Sequence, residues 1–131
     1  MSTIDSPSSS SSAPSSAPSS APSSAPSPLV VLSTFPSPDK AAEVARALVE
    51  AKLAACVNLV PQVRSIYRWQ DAICDDTETL AIIKTTPERY EAMAALVVSL
   101  HPYDVPELIT LSVVQGHPPY LAWLAASVSS R

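Results

Sequence analysis

The stretch "TLAIIKTTPERYEAMAALVVSL", residues 79–100, joins a buried strand to an amphipathic helix. Its first seven residues are centred on a short apolar run of the kind found in buried strands. Thr86 can then cap a helix, Pro87 suits the first helical turn, and Glu88 faces the positive end of the helix dipole. Apolar side chains recur at helical spacing as far as Leu100. The stretch predicts one strand followed directly by one helix.

The same order of signals occurs earlier in the chain. "LVVLST", residues 29–34, is a short run of mostly apolar residues, as expected for another buried strand. Ser37, Pro38 and Asp39 then supply the cap, the proline and the acidic residue of a helix start. The chain therefore contains two strand-to-helix units that share one pattern.

A long hairpin is predicted between the two units. Residues 56–70 form a strand that is interrupted at Pro61, and the polar residues 71–78 form a turn back into the second buried strand. The first strand would extend about 50 Å, whereas a domain of this size spans about 35 Å. The hairpin therefore overhangs its own domain, and we expect its aromatic residues Tyr67 and Trp69 to be covered by another chain.

Two further elements complete the order. Residues 107–115 are predicted to be a fourth strand, and residues 119–128 a short C-terminal helix. The resulting order, β-α-β-β-α-β, is that of a ferredoxin-like α+β fold. Right-handed crossovers place both main helices on one face of a four-stranded antiparallel sheet in that fold.

The first 28 residues differ in composition from the rest. They repeat Ser, Ala and Pro and hold almost no large apolar side chain, so burial cannot offset the roughly 1–2 kcal/mol per residue needed to order the backbone. We therefore divide the chain into a disordered tail, residues 1–28, and one domain, residues 29–131. No membrane-spanning apolar run is present and the two cysteines are too few for a disulfide framework, so we expect a cytoplasmic protein. A Ser-rich, plastid-type targeting segment stays open as an alternative reading of the tail.

Charge and glycine content exclude several classes of function. The net charge is −4 and the basic residues are scattered, which disfavours binding to nucleic acid. The only glycine is Gly116, whereas phosphate-binding loops and dinucleotide fingerprints need two or three. No Ser/His/Asp or Cys/His set is evident, so we do not expect an enzyme.

Five motifs occur in an order that resembles one known family. "KLAACVN", "IYRW", "IIKTT", "HPYDVPEL" and "YLAWL" are similar to motifs of the CutA family of divalent-cation tolerance proteins, and the resemblance spans residues 29–128. It implies a compact homotrimer of ferredoxin-like subunits in which the long hairpin wraps onto its neighbours. It also implies a role in tolerance of copper and other divalent metals, without an established catalytic activity.

The sequence departs from the family pattern at several positions. Family members often have Cys where this chain has Ser33, and bacterial members have His where it has Leu100; both have been proposed as copper ligands. Only the neighbouring His101 remains. The glycine of the hairpin turn is also lost, because Gln70 and Asp71 stand there.

The metal-ligand candidates are His101, Glu107 and Cys56. An imidazole, a carboxylate and a thiol suit copper or another divalent cation, but one His with carboxylates lacks the ligand number of a dedicated site. The alternative for His101 is a helix-terminal residue in a stiff, proline-rich corner, and for Cys56 it is a small buried hydrophobe. We therefore expect no tightly bound cofactor and only weak metal binding.

A second group contains candidates for a ligand cleft or a subunit interface: Lys84, Tyr67, Trp69, Tyr103 and Trp123. Lys84 ends a buried strand, where it would pair with Glu107 or hold an anionic ligand. The aromatic residues are typical interface anchors. Residues 74–78, with one cysteine and three acids, are expected to form an exposed, solubilising turn.

Two functions remain open from the sequence. The first is a non-enzymatic homotrimer that binds copper or other divalent ions weakly and serves metal tolerance or organises partners. The second is a small-molecule sensor similar to the trimeric PII regulators, with ligands in clefts between subunits. Loss of metal binding in a His101 variant would favour the first function, and loss of anion binding in a Lys84 variant would favour the second.

Overall fold

The structure, a computed structural model, describes residues 27–130 of the chain. The predicted tail, residues 1–28, lies outside the described residues except for its last two positions. The elements of the described part follow one another as β1 (Leu29–Phe35), α1 (Pro38–Glu50), β2 (Cys56–Trp69), β3 (Ala72–Thr85), α2 (Pro87–Leu100), β4 (Ile109–Ser112) and α3 (Pro118–Ser127).

The strands form one antiparallel sheet with the order β2-β3-β1-β4. Within it, Leu29 of β1 lies opposite Thr85 of β3 on one side and Ser112 of β4 on the other. Helix α1 connects β1 to β2, and α2 connects β3 to β4. This order and these connections are those of the ferredoxin-like fold, so the predicted fold class is confirmed.

The two long helices follow their sequence signals to different degrees. Ser37 caps α1, because its Oγ accepts a 3.2 Å hydrogen bond from the backbone N–H of Lys40. Thr86 precedes α2 in the same position, but its side chain makes no capping hydrogen bond, so that part of the prediction is wrong. The start of α2 is instead set by Pro87, whose fixed φ suits a first helical turn.

The hydrophobic core lies between one face of the sheet and helices α1 and α2. Alternate residues of the central strands and one side of each helix supply it: Val31, Phe35, Ala81, Ile83, Val44, Leu48, Met93 and Val97. Each of the larger side chains contributes about 1.5–3 kcal/mol by leaving water. Because both helices lie on this face, the other face of the sheet is available for different contacts; we call it the open face.

The hairpin formed by β2 and β3 is long, with 14 residues in each strand. β1 pairs only with residues 79–85 of β3, so residues 72–78 pair with β2 alone. We call this two-stranded part of the hairpin the ribbon. At about 3.3 Å per residue, the ribbon extends about 20 Å beyond the end of β1. This extension is the overhang that the sequence predicts.

The predicted turn over residues 71–78 is wrong. Residues 72–78 continue β3, and the chain reverses in a two-residue turn at Gln70 and Asp71. A ribbon does not need apolar side chains on both faces, because its backbone hydrogen bonds are made between the strands and its polar side chains can pair across them. The polar composition of this segment therefore belongs to a strand rather than to a turn.

The turn has a backbone conformation that glycine normally supplies. Gln70, with a φ of 51°, and Asp71, with a φ of 64°, both lie in the left-handed region. Positive φ at both central residues defines a type I′ turn, whose twist matches that of a hairpin and which favours Asn-Gly. Residues with a Cβ adopt this conformation at a cost of about 1 kcal/mol each, so the turn is strained.

The last two elements differ slightly from the prediction. β4 is shorter than the predicted strand over residues 107–115, because it pairs only with residues 29–32 of β1. α3 begins at Pro118, one residue earlier than predicted. Within the part of the chain that the structure describes, no helix combines the length and the apolar character needed to span a lipid bilayer.

Replacing Gln70 with Asn and Asp71 with Gly should stabilise the folded chain by about 1 kcal/mol, because Asn and Gly adopt positive φ at lower cost. Urea unfolding followed by circular dichroism measures the change. Ala72→Gly is the matched control: it places glycine one residue later, inside β3, where it should destabilise by about 0.5–1 kcal/mol. A double variant no more stable than the wild type would show that the turn is not strained.

Candidate binding groove

A groove lies where the ribbon meets the loop that connects α2 to β4. Its volume is about 610 Å³, which is within the range of small-ligand sites. Three aromatic and three acidic residues are among those that line it: Tyr67, Trp69, Tyr103, Glu78, Asp104 and Glu107. We call this feature the acidic groove.

His101 holds the loop in place. Its ring is buried and stacks on Phe35 with the ring centroids 4.4 Å apart. Nε2 lies 2.7 Å from the carbonyl oxygen of Thr34, and Nδ1 accepts a 3.0 Å hydrogen bond from the backbone N–H of Tyr103. These contacts fit the tautomer that carries its proton on Nε2. His101 therefore fastens the loop to β1, and both of its nitrogens are already engaged.

Tyr103 connects the loop to the ribbon. Its hydroxyl donates a 2.7 Å hydrogen bond to Oε2 of Glu78, a residue that is only 8% exposed. Burial and this hydrogen bond raise the pKa of Tyr103 above its ordinary value of 10.0. The phenol therefore stays protonated at neutral pH and continues to donate to Glu78.

The remaining acids of the ribbon have separate partners on its two faces. On the groove face, the Tyr67 hydroxyl donates to Asp76, and this bond raises the pKa of Tyr67 to about 12. On the other face, Arg64 donates hydrogen bonds of 2.9 and 2.7 Å to Asp75 and lowers the pKa of that carboxyl. Residues 74–78 are therefore part of a strand rather than the predicted turn, and Glu78 is buried, whereas Asp75 and Asp76 are exposed as expected.

The structure does not bring the three metal-ligand candidates together. Glu107 lies in the acidic groove, whereas Cys56 lies at the start of β2, at the opposite end of the hairpin from the ribbon. The ring of His101 is engaged by backbone groups on both nitrogens. Among the described residues there is no group of three or more His, Cys, Asp or Glu side chains that would hold a metal ion.

Three of the five cleft and interface candidates line the acidic groove: Tyr67, Trp69 and Tyr103. Lys84 lies elsewhere, with its Nζ 5.7 Å from the centroid of the Tyr120 ring. Trp123 packs against the same ring, with the two ring centroids 5.4 Å apart. The predicted pair of Lys84 with Glu107 is wrong. β4 and the loop before it lie beside β1, whereas Lys84 is on β3.

Glu78 is the groove residue that the sequence pattern did not reveal. Because residues 71–78 were expected to be a turn, strand alternation was not extended to this position. With β3 beginning at Ala72, Glu78 falls on the same sheet face as Leu80 and Ile82. If the strand had been extended back to Ala72, its alternation would have placed Glu78 on the open face, next to Tyr67.

Together, the fold and the groove define a small ferredoxin-like module with an acidic groove beside its ribbon. A family model described as CutA1 divalent ion tolerance protein matches residues 29–127. The chain belongs to this family, so the resemblance seen in the sequence is confirmed.

Relatives in the family differ in how much of their length the chain covers. The divalent-cation tolerance protein CutA of Thermus thermophilus is 48% identical over 95 residues, which are 72% of this chain and 92% of that protein. Protein CutA of Mus musculus is 52% identical over 91 residues, which are 70% of this chain and 51% of that protein. The chain therefore spans nearly all of the bacterial relative and about half of the mouse relative.

Solved structures from the family have the same fold. The CutA1 structure from Thermus thermophilus superposes with a TM-score of 0.75 at 46% identity, covering 76% of this chain and 97% of that one. CutA1 from Oryza sativa superposes with a TM-score of 0.79 at 38% identity, covering 83% of this chain and all of that one. Both comparisons show that the chain shares the fold of solved CutA1 structures.

The raised pKa values predict late ionisation of two phenols. When the protein is titrated with base and phenolate absorbance is followed, Tyr67 should ionise near pH 12, and Tyr103 should also ionise later than an ordinary phenol. A raised folded pKa contributes stability that is fully present below the unfolded value of about 10. That stability is lost as the pH rises through the folded value, so the chain should weaken in strongly alkaline solution.

Tyr67→Phe and Tyr103→Phe should each remove one late-ionising phenol from the titration. Tyr90→Phe is the matched control, because Tyr90 is on α2 and should leave both late ionisations in place. If Tyr67→Phe and Tyr103→Phe instead removed absorbance that appears near pH 10, the two phenols would ionise normally. The hydrogen bonds to Asp76 and Glu78 would then not persist in solution.

Proposed function

We propose that the chain acts as a non-enzymatic homotrimer in divalent-cation tolerance. The observation that carries this proposal is the exposed apolar surface of the open face and the ribbon, which another copy of the chain is suited to cover. The family to which the chain belongs is described by divalent ion tolerance, which supports the metal part of the proposal.

The open face carries a band of apolar side chains. Ile109 and Leu111 of β4 are 51% and 49% exposed, and Val60 of β2 is 40% exposed. The strand register places Ile109 opposite Leu32 and Leu111 opposite Val30, so the band continues from β4 onto β1. A sheet face that meets water normally alternates to polar residues, so this face is better suited to an interface.

The ribbon also needs a partner. Ile66, Trp69 and Ile73 are 64%, 54% and 65% exposed. A two-stranded hairpin is at best marginally stable alone in water, and packing against another element normally stabilises it. Neighbouring subunits would supply that element. Three copies are proposed because the family resemblance implies a trimer in which the hairpin wraps onto its neighbours.

The available side chains favour weak binding of divalent cations. Asp104 and Glu107 offer carboxylate oxygens, which hard cations accept, but the described residues add no set of further ligands. Ser33 stands where many family members have Cys, and His101 is occupied by backbone contacts. The donor set therefore does not fit a dedicated copper site, because copper prefers thiolate and free imidazole ligands.

Two further parts of the proposal concern location and activity. Cys56 and Cys74 are both unpaired thiols, which is compatible with a reducing compartment such as the cytoplasm. A catalytic role is not proposed, because the family is described by tolerance to ions rather than by a reaction. The cytoplasmic location thus remains a prediction from the sequence.

A small-molecule sensor is the second candidate function. The acidic groove favours it, because a volume of about 610 Å³ accommodates a small organic ligand. The charged side chains in the groove are acids, and Lys84 is not among its lining residues. A ligand of the groove would therefore carry positive charge, unlike the anion that the sequence suggests for Lys84.

Trp69→Asp should dissociate the assembly or make it aggregate, because the new carboxylate would be buried without a partner at a cost of several kcal/mol per interface. Light scattering during size exclusion should give the wild type a mass near three times 13.8 kDa. Val98→Asp is the matched control, since Val98 is 51% exposed on α2 and lies on the helical layer rather than on the sheet. A monomeric wild type at micromolar concentration would contradict the proposal, as would a Trp69→Asp trimer of undiminished stability.

Copper(II) should bind with a dissociation constant above about 1 μM, and His101→Ala should change it by no more than about twofold. The same variant should lose about 2–4 kcal/mol of stability, because two buried hydrogen bonds and a stacked ring are removed. Calorimetric titration and thermal unfolding measure the two effects. His117→Ala is the control for surface binding, since His117 is exposed. Submicromolar affinity that disappears in His101→Ala would contradict this expectation.

A further inference from the structure

Glu78 has a buried carboxylate without a basic partner in the described chain. The residue is only 8% exposed, and its Oε2 accepts a hydrogen bond from the neutral hydroxyl of Tyr103. The two ion pairs among the described residues lie elsewhere, on α1 and on the opposite face of the ribbon. A carboxylate removed from water is costly unless a cation compensates it. Glu78 therefore needs a basic group that its own chain does not bring to it.

Lys84 carries the opposite charge on the same face of the sheet. Strand alternation along β3 turns Glu78, Leu80, Ile82 and Lys84 to the open face. Lys84 is half-buried, and its ammonium group lies over the Tyr120 ring rather than beside a carboxylate. The open face thus holds one acid and one base of β3, each without an ionic partner.

These two groups cannot pair within one chain. They are six positions apart on an extended strand, which separates them by about 20 Å, and their side chains do not span that distance. Among the residues that the structure describes, no other lysine or arginine is on the open face. The others lie on helices α1 and α2, just after α1, or on the opposite face of the ribbon: Lys40, Arg46, Arg89, Lys52, Arg64 and Arg68.

We propose that the two charges pair between copies of the chain: Lys84 of the partner subunit enters the acidic groove and binds Glu78. This inference rests on the proposed trimer and names a contact that orients it. In a closed ring each interface joins two different patches of neighbouring copies. The Glu78 end of one β3 strand then meets the Lys84 end of the next, and the contact occurs once at every interface.

The acidic groove suits a lysine side chain. Its volume of about 610 Å³ leaves room for the four-carbon stem, and the rings of Tyr67 and Trp69 cover that stem and attract the ammonium group. No lysine, arginine or histidine of the described chain lines the groove, so the incoming cation meets no like charge there.

The charge pair and the apolar band have different roles in the contact. Exposed apolar side chains such as Ile109 and Leu111 supply area that is favourable to bury, but they do not fix one orientation of the two copies. Complementary charges fix the register of an interface and disfavour other arrangements. Glu78 and Lys84 therefore determine which part of one open face lies against which part of the next.

Neutral substitutions in the full chain test the pairing through the stability of the trimer. Glu78→Gln keeps the size of the carboxyl group and still accepts from Tyr103, and Lys84→Met removes the charge and keeps a long side chain. Each should raise the protein concentration at which half of the trimer dissociates by about tenfold or more, because the other charge stays buried without a partner. Light scattering over a dilution series, at one sub-denaturing urea concentration, measures the change.

The double variant Glu78→Gln/Lys84→Met shows whether the two residues act together. Neither charge remains in it, so its dissociation concentration should lie within about threefold of the single variants. A combined effect equal to the product of the two single effects, about a hundredfold, would overturn the pairing. Arg46→Gln is the matched control, because Arg46 is exposed on α1. Added to Glu78→Gln, it should change the dissociation concentration by no more than about twofold.

Charge reversal tests whether the pair lies between chains. Glu78→Lys and Lys84→Glu each place like charges at every interface, so neither variant should form trimers alone. A mixture of the two should form trimers that contain both chains, because two of the three interfaces then carry opposite charges. A mixture that forms no more trimer than either variant alone would contradict the proposal. Where circular dichroism shows that a reversal variant does not fold, the neutral variants decide.

Failure of this proposal differs from failure of the proposed assembly. A wild type that forms the trimer, with a stability that neither neutral variant changes, overturns the pairing and leaves the assembly in place. A monomeric wild type at micromolar concentration overturns both.

Discussion

The two hydrogen bonds of the buried His101 ring are the contacts on which the acidic groove depends. One ties the loop after α2 to the carbonyl of Thr34 in β1, and the other fixes the backbone of Tyr103 within the loop. Tyr103 is then held against Glu78, although the two residues are 25 positions apart in the chain. Without the ring, the loop would lose its anchor, and the groove would lose a wall and the hydroxyl that satisfies a buried acid. A residue type that suggests metal binding therefore serves here to position a loop.

The ribbon is held differently on its two faces. Arg64 and Asp75 form a bidentate pair on one face, and Tyr67 donates to Asp76 on the groove face. Such exposed polar pairs contribute little to stability, but they restrain the side chains that flank the groove. Apolar residues of the same ribbon remain largely exposed. Paired polar side chains and exposed apolar residues on one ribbon suit a surface that a neighbouring chain covers. The groove lies next to that surface.

Ser33 stands at a position where family members often have Cys, and its surroundings show what a cysteine could do there. The residue is fully buried, and its Oγ has no hydrogen-bond partner, which costs about 1–3 kcal/mol for a hydroxyl. A cysteine at this position would pack as a small hydrophobe. Strand alternation turns Ser33 towards the core, whereas Thr34 lines the groove. A thiol at this position would therefore face the core and add no ligand to the acidic groove.

The sequence by itself determined the order of the elements, the fold class and the family. Caps, prolines, apolar periods and motif order are properties of short segments, so they are readable before folding. Only the tertiary structure decided that residues 72–78 form a strand, that Glu78 is buried, and that His101 has both nitrogens occupied. Each of these depends on which strand lies opposite and on the path of a loop distant in sequence. Strand register and the path of the loop are set by the packing of the whole domain. The groove therefore could not be predicted from the local sequence pattern of any one segment.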